Sequence, residues 1–235
     1  MATALAVTPA SRPLTPAPPP ATAIVARAGG DGLPSYVTQD AARRVIDAAE
    51  STRDRLLLET LWQSGGRVSE VARLRRCDVE PAEGALRLQN LKQKRRAMAA
   101  KLVYVSSGLV AALLAYANDA RIPPTGTLFR SRQGEGMPMM PMTRQNVWQI
   151  VTRCALRAGV RVVGRDGELR PVTDLDFRHG AAVHQSRAGV PHSEVSQQHG
   201  HARIDTTTIY TRRTNVERRR YADRVEWWRL RDGCT

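Results

Sequence analysis

The sequence predicts an α+β domain, mainly helical with one small antiparallel β-sheet. Apolar residues recur at helical spacing in most segments between 36 and 231. A single pair of short runs with strand character flanks a basic turn. Gly65-Gly66, Pro123-Pro124 and Gly189 punctuate the periodic segments. At 235 residues the chain suits one domain with a sizeable core plus a tail, and is short for two large domains.

Residues 1–34 are dominated by Ala, Pro, Thr and Ser, with no acidic residue before Asp31, and bury too little to offset the cost of ordering. They read as a disordered Pro/Ala-rich tail, and 35–235 as the folded domain. The acidic-poor, arginine-containing composition also fits an organelle transit peptide, but no amphipathic arginine-rich helix accompanies it.

Thr38 is an N-cap ahead of a helix over 40–49, with Ala41, Val45, Ile46 and Ala49 on one face. A second helix runs over 53–63 and stops at Gly65-Gly66. A short third follows over 67–74, its apolar side formed by Val68, Val71 and Leu74, so that Arg67 stands at a helix start beside a glycine turn. Strands are expected within 78–88 and over 102–105, with Lys92-Gln93-Lys94-Arg95-Arg96 between them as a basic hairpin. Ser106 caps a helix that Ile122-Pro123-Pro124 ends; 134–142 reads as a loop, 143–157 as a helix, and the stretch through Gly164 and Gly167 as irregular. The last quarter reads as helices over 174–187, 191–199, 205–211 and 214–231. No internal repeat is visible.

Lys+Arg number 36 against 22 Asp+Glu, a net charge of +14, which suits a polyanion, with nucleic acid first among them. The positive charge is interleaved with helical periodicity instead of forming one flexible block. Cys77, Cys154 and Cys234 are too far apart for a C-x-x-C site and odd in number, so a reducing, intracellular setting is expected, read as cytoplasmic. Cys77 and Cys154 read as small buried hydrophobes. No run approaches the roughly 18 apolar residues of a membrane span. His199 and His201 lack a third ligand at metal spacing, and no metal or other cofactor is expected. His184 reads as a packing residue, and Trp227-Trp228 as core contacts of the last helix.

The stretch that concentrates chemistry is Gly200-His201-Ala202-Arg203-Ile204-Asp205-Thr206-Thr207-Thr208-Ile209-Tyr210, followed by Thr211-Arg212-Arg213. Attack on a phosphodiester by a phenolate puts charge on the nonbridging oxygens, which planar, permanently charged arginines stabilise in bidentate fashion. The reaction also needs a nucleophile that forms a covalent link and an acid for the departing sugar oxygen, roles open to tyrosine and lysine.

Ser64-Gly65-Gly66-Arg67-Val68-Ser69-Glu70-Val71, Arg178-His179-Gly180-Ala181-Ala182-Val183-His184, and Gly200-His201 followed by Tyr210 resemble, in order and spacing, three diagnostic blocks of the tyrosine recombinase (phage integrase) catalytic domain. The resemblance covers about 36–230. It implies the tyrosine recombinase catalytic-domain fold and site-specific DNA recombination, as in phages and mobile elements, through a 3′-phosphotyrosine intermediate without cofactor. Double-stranded DNA would be the partner, with dimers to tetramers forming on it. It also implies roles: Arg67 and Arg178 clamp the scissile phosphate, Tyr210 attacks it, His201 contacts it, and Glu70 holds Arg67. Lys92 matches the hairpin lysine that protonates the 5′ leaving oxygen, with Lys94 a close competitor because hairpin register is not fixed by sequence. Lys94, Arg95, Arg96, Arg212 and Arg213 are candidates for DNA-backbone contact. The resemblance adds a second use for the last helix, docking on a neighbouring subunit.

Two departures stand out. The family usually has histidine three residues before the second arginine, where this chain has Leu175; leucine cannot donate a hydrogen bond or carry a proton, so the supporting role is lost or moved to Asp174, Asp176 or His179. Only the tail precedes residue 36, resembling small recombinases of the fimbrial-inversion type that lack the N-terminal core-binding domain. Two other readings share these features: a catalytically weakened DNA-binding or accessory protein of the same fold, and a type IB topoisomerase-like strand-passage enzyme.

Overall fold

The computed structural model describes residues 24–26, 35–89, 100–131, 140–164 and 166–200. Within them lie helices α1 (Gln39–Asp47), α2 (Thr52–Ser64), α3 (Val68–Val71), α4 (Ser107–Asp119), α5 (Arg144–Arg157), α6 (Asp174–Arg187) and α7 (His192–His199). The strands are β1 (Ile24–Ala26), β2 (Val79–Glu80), β3 (Ala85–Gln89), β4 (Ala100–Tyr104), β5 (Val160–Val163) and β6 (Leu169–Pro171).

Five helices begin in the same way. The hydroxyls of Thr38, Ser51, Ser106, Thr143 and Thr173 each accept a hydrogen bond from the backbone N–H three residues on, satisfying one of the orphan donors of a helix start. The caps appear where the sequence places them for α1 and α4, while Thr143, read as the first residue of its helix, is the cap of α5. The main core cluster includes Leu57, Leu58 and Leu61 of α2, Leu109 and Leu113 of α4, Val147 and Val151 of α5, and Phe177 of α6, and a smaller one gathers Tyr36, Ala182, Val183 and Val195. Trp62 of α2 stands edge-on to Phe177 at 5.8 Å between ring centroids and tilted over His184 at 5.9 Å, so His184 packs as expected.

Four carboxylates are buried in this body, and each has an arginine: Asp54 with Arg53 at 2.7 Å, Glu70 with Arg67 at 2.8 Å, Asp78 with Arg75 at 3.0 Å and Asp176 with Arg170 at 2.7 Å. A buried charge left alone would be strongly destabilising, so these pairs fix local geometry more than they add stability.

The expected sheet is present as the antiparallel order β2-β3-β4, with Leu86 opposite Val103 and Leu88 opposite Lys101. A turn with Gly84 in the left-handed region (φ 63°) divides the first predicted strand into β2 and β3. A second sheet, β1-β5-β6, was not expected. β5 and β6 form an antiparallel hairpin in the stretch read as irregular, and β1 joins β5 in parallel, Ile24 opposite Val160. Ile24–Ala26 is therefore strand and not disordered tail; the other residues of 1–34 lie outside the described ones. Cys154 is buried, and burial pushes its thiol up to about 11. Cys77 is exposed, contrary to expectation, because it sits in the 3-10 turn Arg76–Asp78, with its N–H tied to Pro124 O at 2.8 Å.

Candidate active site

Arg67 occupies the N-cap position of α3, after the left-handed Gly65 that ends α2. Glu70, one turn on and 2% exposed, accepts both from the Arg67 backbone N–H (3.2 Å) and from its guanidinium (2.8 Å). Burial alone would raise the Glu70 carboxyl. The Lys101 ammonium and the Arg67 hydrogen bonds overcome that and hold it below the usual carboxylate range. The other end of the Arg67 fork donates to Gly200 O at 3.0 Å.

Arg178 lies on α6. Its fork spans two elements, donating to Gly65 O at 2.5 Å and to His199 O at the end of α7. α6 reaches this position because Gly180 allows close approach: a Cβ there would meet Val37 O at 2.2 Å. The two arginines, 111 positions apart in the chain, thus share one frame made of the α2 turn and the α7 terminus.

They also share one wall of a cavity of about 340 Å3, completed by Gly66, Arg144, Asp174 and Leu175. Arg144, the first residue of α5, adds a third cation that sequence reasoning did not single out. Leu175 is 53% exposed and presents an apolar side chain to this basic cavity, at the position where the resemblance expects histidine.

The three residues considered as its replacement behave differently. The Asp176 carboxylate is occupied, accepting from both Arg170 Nη1 and Nη2 at 2.7 Å and from Thr173 N and Oγ1. His179 is held down to about 4 by burial, with Arg178 adding and Asp176 opposing, so its imidazole is neutral near pH 7. Asp174 lines the cavity; burial raises its carboxyl, against the pull of Arg144.

Lys101 on β4 is the residue sequence reasoning missed. Its ammonium sits 3.2 Å from Glu70 Oε2 and donates to Gln198 O at 2.8 Å, with its side chain 16% exposed. Burial pushes the ammonium down, and Arg178 and Arg67 push the same way against Glu70. The available signal was alternation, since Lys101 shares the inward side of β4 with buried Val103.

Lys92, Lys94, Arg95, Arg96, His201, Tyr210, Arg212 and Arg213 lie outside the described residues, as do the expected helices over 205–211 and 214–231. Among the described residues no group of three or more His, Cys, Asp or Glu could hold a metal ion, and no helix is long and apolar enough to cross a membrane.

The model of the phage integrase family matches residues 35–217. Tyrosine recombinase XerD of Bifidobacterium longum is 32% identical over 207 residues, 80% of this chain and 61% of that protein. A resolvase of Escherichia coli is 26% identical over 202 residues, 77% of this chain and 75% of its own length. The chain spans between half and about three fifths of the XerD recombinases it matches. In three dimensions it resembles the crystal structure of the XerA recombinase, with TM-score 0.65, 24% identity and coverage of 83% and 67%. It also resembles the XerH site-specific recombinase bound to its difH substrate, with TM-score 0.62, 18% identity and coverage of 82% and 55%.

Proposed function

The chain belongs to the phage integrase family, and from that membership we propose that it is a site-specific DNA recombinase that breaks and rejoins strands through Tyr210. The observation that carries the reading is the convergence of Arg67 and Arg178 on one cavity.

In this mechanism a phosphodiester of duplex DNA enters between the two guanidiniums, which neutralise the charge that builds on its nonbridging oxygens. The Tyr210 oxygen attacks phosphorus, the bond to the 5′ oxygen breaks, and a 3′-phosphotyrosine remains. Lys92, or Lys94 in the alternative hairpin register, gives the 5′ oxygen its proton. His201 contacts the phosphate, and His179, neutral near pH 7, is a supporting residue next to Arg178 in the chain. Attack by a 5′ hydroxyl reverses the step. Each transfer replaces one phosphoester by another, so the bond energy is kept in the enzyme–DNA link and no nucleotide or metal is called on.

The net charge of +14 supports double-stranded DNA as the partner. A lambda integrase, 18% identical to this chain with TM-score 0.55, was solved as a dimer bound to a core site; by analogy this chain would work as a dimer or tetramer on DNA. The bacterial relatives support a cytoplasmic setting. Residues 35–235 are taken as a single catalytic domain, to whose β5 the preceding strand β1 (Ile24–Ala26) adds.

The test is covalent capture. The wild-type chain, incubated with nicked duplexes, should form an adduct stable to denaturation, and Tyr210→Phe should form none. Absence of adduct on any site would favour a second reading, a DNA-binding protein weakened in catalysis, for which exposed Leu175 in the cavity speaks.

A further inference from the structure

α7 ends with three successive carbonyls, and each accepts from a different cation: Gln198 O from Lys101 at 2.8 Å, His199 O from Arg178, and Gly200 O from Arg67 at 3.0 Å. These are the acceptors a helix terminus leaves without intrahelical partners, at the negative end of its dipole. Two of the three cations are the arginines of the proposed phosphate site. The third, Lys101, comes from β4, which follows the basic stretch 92–96 in sequence.

We infer that Lys101 is a positioning residue of the recombinase site, locking the α7 terminus to Glu70 so that Arg67 and Arg178 are held toward one phosphate. The inference rests on the recombinase reading for its catalytic consequence, though not for its structural one. Glu70 is the hub: Oε1 takes Arg67 and Oε2 takes Lys101, 3.2 Å away. Arg67 and Lys101 then reach carbonyls two residues apart on the same helix end. Removing the ammonium leaves Gln198 O without this donor and gives Glu70 one cation in place of two, so Arg67 loses a fixed counter-ion geometry without losing its charge. The segment that follows Gly200 carries the proposed nucleophile, and small misplacements of reacting groups cost rate far more than they cost binding.

A lysine ammonium can also donate a proton, and substitution by arginine separates that role from positioning. A guanidinium keeps the positive charge and the donors to Glu70 and Gln198, but it stays protonated at any working pH and cannot act as an acid.

The experiment compares wild type, Lys101→Met and Lys101→Arg as full chains. The wild type first traps its own substrates from a pool of nicked duplexes of randomised sequence, and the captured duplexes are used for all three. Lys101→Met should form adduct about 10- to 100-fold more slowly while its DNA Kd stays within about 3-fold, since affinity is spread over many phosphate contacts. Lys101→Arg should recover to within about 10-fold of wild type. In the same samples, amide hydrogen exchange at residues 196–200 should quicken roughly 10-fold or more in Lys101→Met and stay near wild type in Lys101→Arg. Adduct formation by Lys101→Met at the wild-type rate, or a Lys101→Arg variant as slow as Lys101→Met, overturns the inference. If the wild type traps nothing, the recombinase reading fails by itself and the exchange measurement decides the role of Lys101: unchanged exchange in Lys101→Met overturns it, faster exchange upholds the lock.

Discussion

The imidazole of His199 lies against the α-carbon of Gly65, so close that a Cβ built on Gly65 would stand 2.2 Å from its Cε1. Gly65 is also left-handed, with φ 55°. His199 is fully buried and hydrogen-bonds Gln185 Oε1 through Nε2 at 3.0 Å, so the ring cannot simply step aside. Gly65→Ala should therefore cost about 2–4 kcal/mol, from backbone strain and overpacking together. Urea denaturation gives the value. An alanine variant as stable as wild type would show that the turn tolerates a side chain. Combining it with His199→Ala should relieve the overpacking and leave the strain, which a double-mutant cycle resolves.

Arg178 spans the gap between that turn and the α7 terminus, with one end of its fork on Gly65 O and the other on His199 O. A single ammonium cannot reproduce two parallel donors. Both Arg178→Lys and Arg178→Ala should reduce adduct formation by roughly 100-fold or more. DNA binding should survive, because affinity is distributed over many phosphate contacts. Filter binding and denaturing gels on the same samples separate the two effects, and near-normal cleavage by either variant would contradict the role given to Arg178.

Leu175 offers a gain-of-function test. It is 53% exposed on the cavity wall, so Leu175→His meets no packing obstacle and should change stability by less than about 0.5 kcal/mol. An imidazole there would add a hydrogen-bonding, proton-carrying group beside Arg178, and adduct formation should rise about 10-fold. No change in rate would mean that Asp174, or another group, already fills the role.

Much of this frame was legible in the sequence because it is written in side chains. Hydroxyl caps such as Thr38 and Ser106, the stop at Gly65-Gly66 and the Arg67–Glu70 spacing each have a local signature. The carbonyls of Gln198, His199 and Gly200 have none, since every residue carries one, and they become a feature only when tertiary packing brings three cations to them. Lys101 is hardly better marked: in sequence it is one more cation after the dense run from Lys92 to Arg96, and only the pairing of β4 turns it toward Glu70. β5 and β6 were missed for a related reason: four and three residues long, they gain their identity from pairing, and the glycines between them read as loop. Cys77 shows the limit of composition, because its exposure follows from a turn anchored to Pro124 and not from its own polarity.

His179 gives a prediction for stability against pH. Its imidazole titrates at about 4 in the folded protein, lowered by burial and by Arg178, against an ordinary value of 6.5. The folded state therefore binds fewer protons than the unfolded chain between those two values, and stability rises with pH across that window. Above 6.5 the side chain is neutral in both states and contributes no slope. On acidification from 6.5 toward 4, wild type should lose about 1.4 kcal/mol for each pH unit from this group, the penalty levelling off once the folded imidazole is itself protonated. His179→Gln carries no titratable proton and should remove that slope, so that the difference between the two denaturation free energies narrows steadily as the pH falls from 6.5 to about 5. Parallel pH dependences for the two proteins would show that His179 charges freely in the folded state, and would undo its assignment as a neutral neighbour of Arg178.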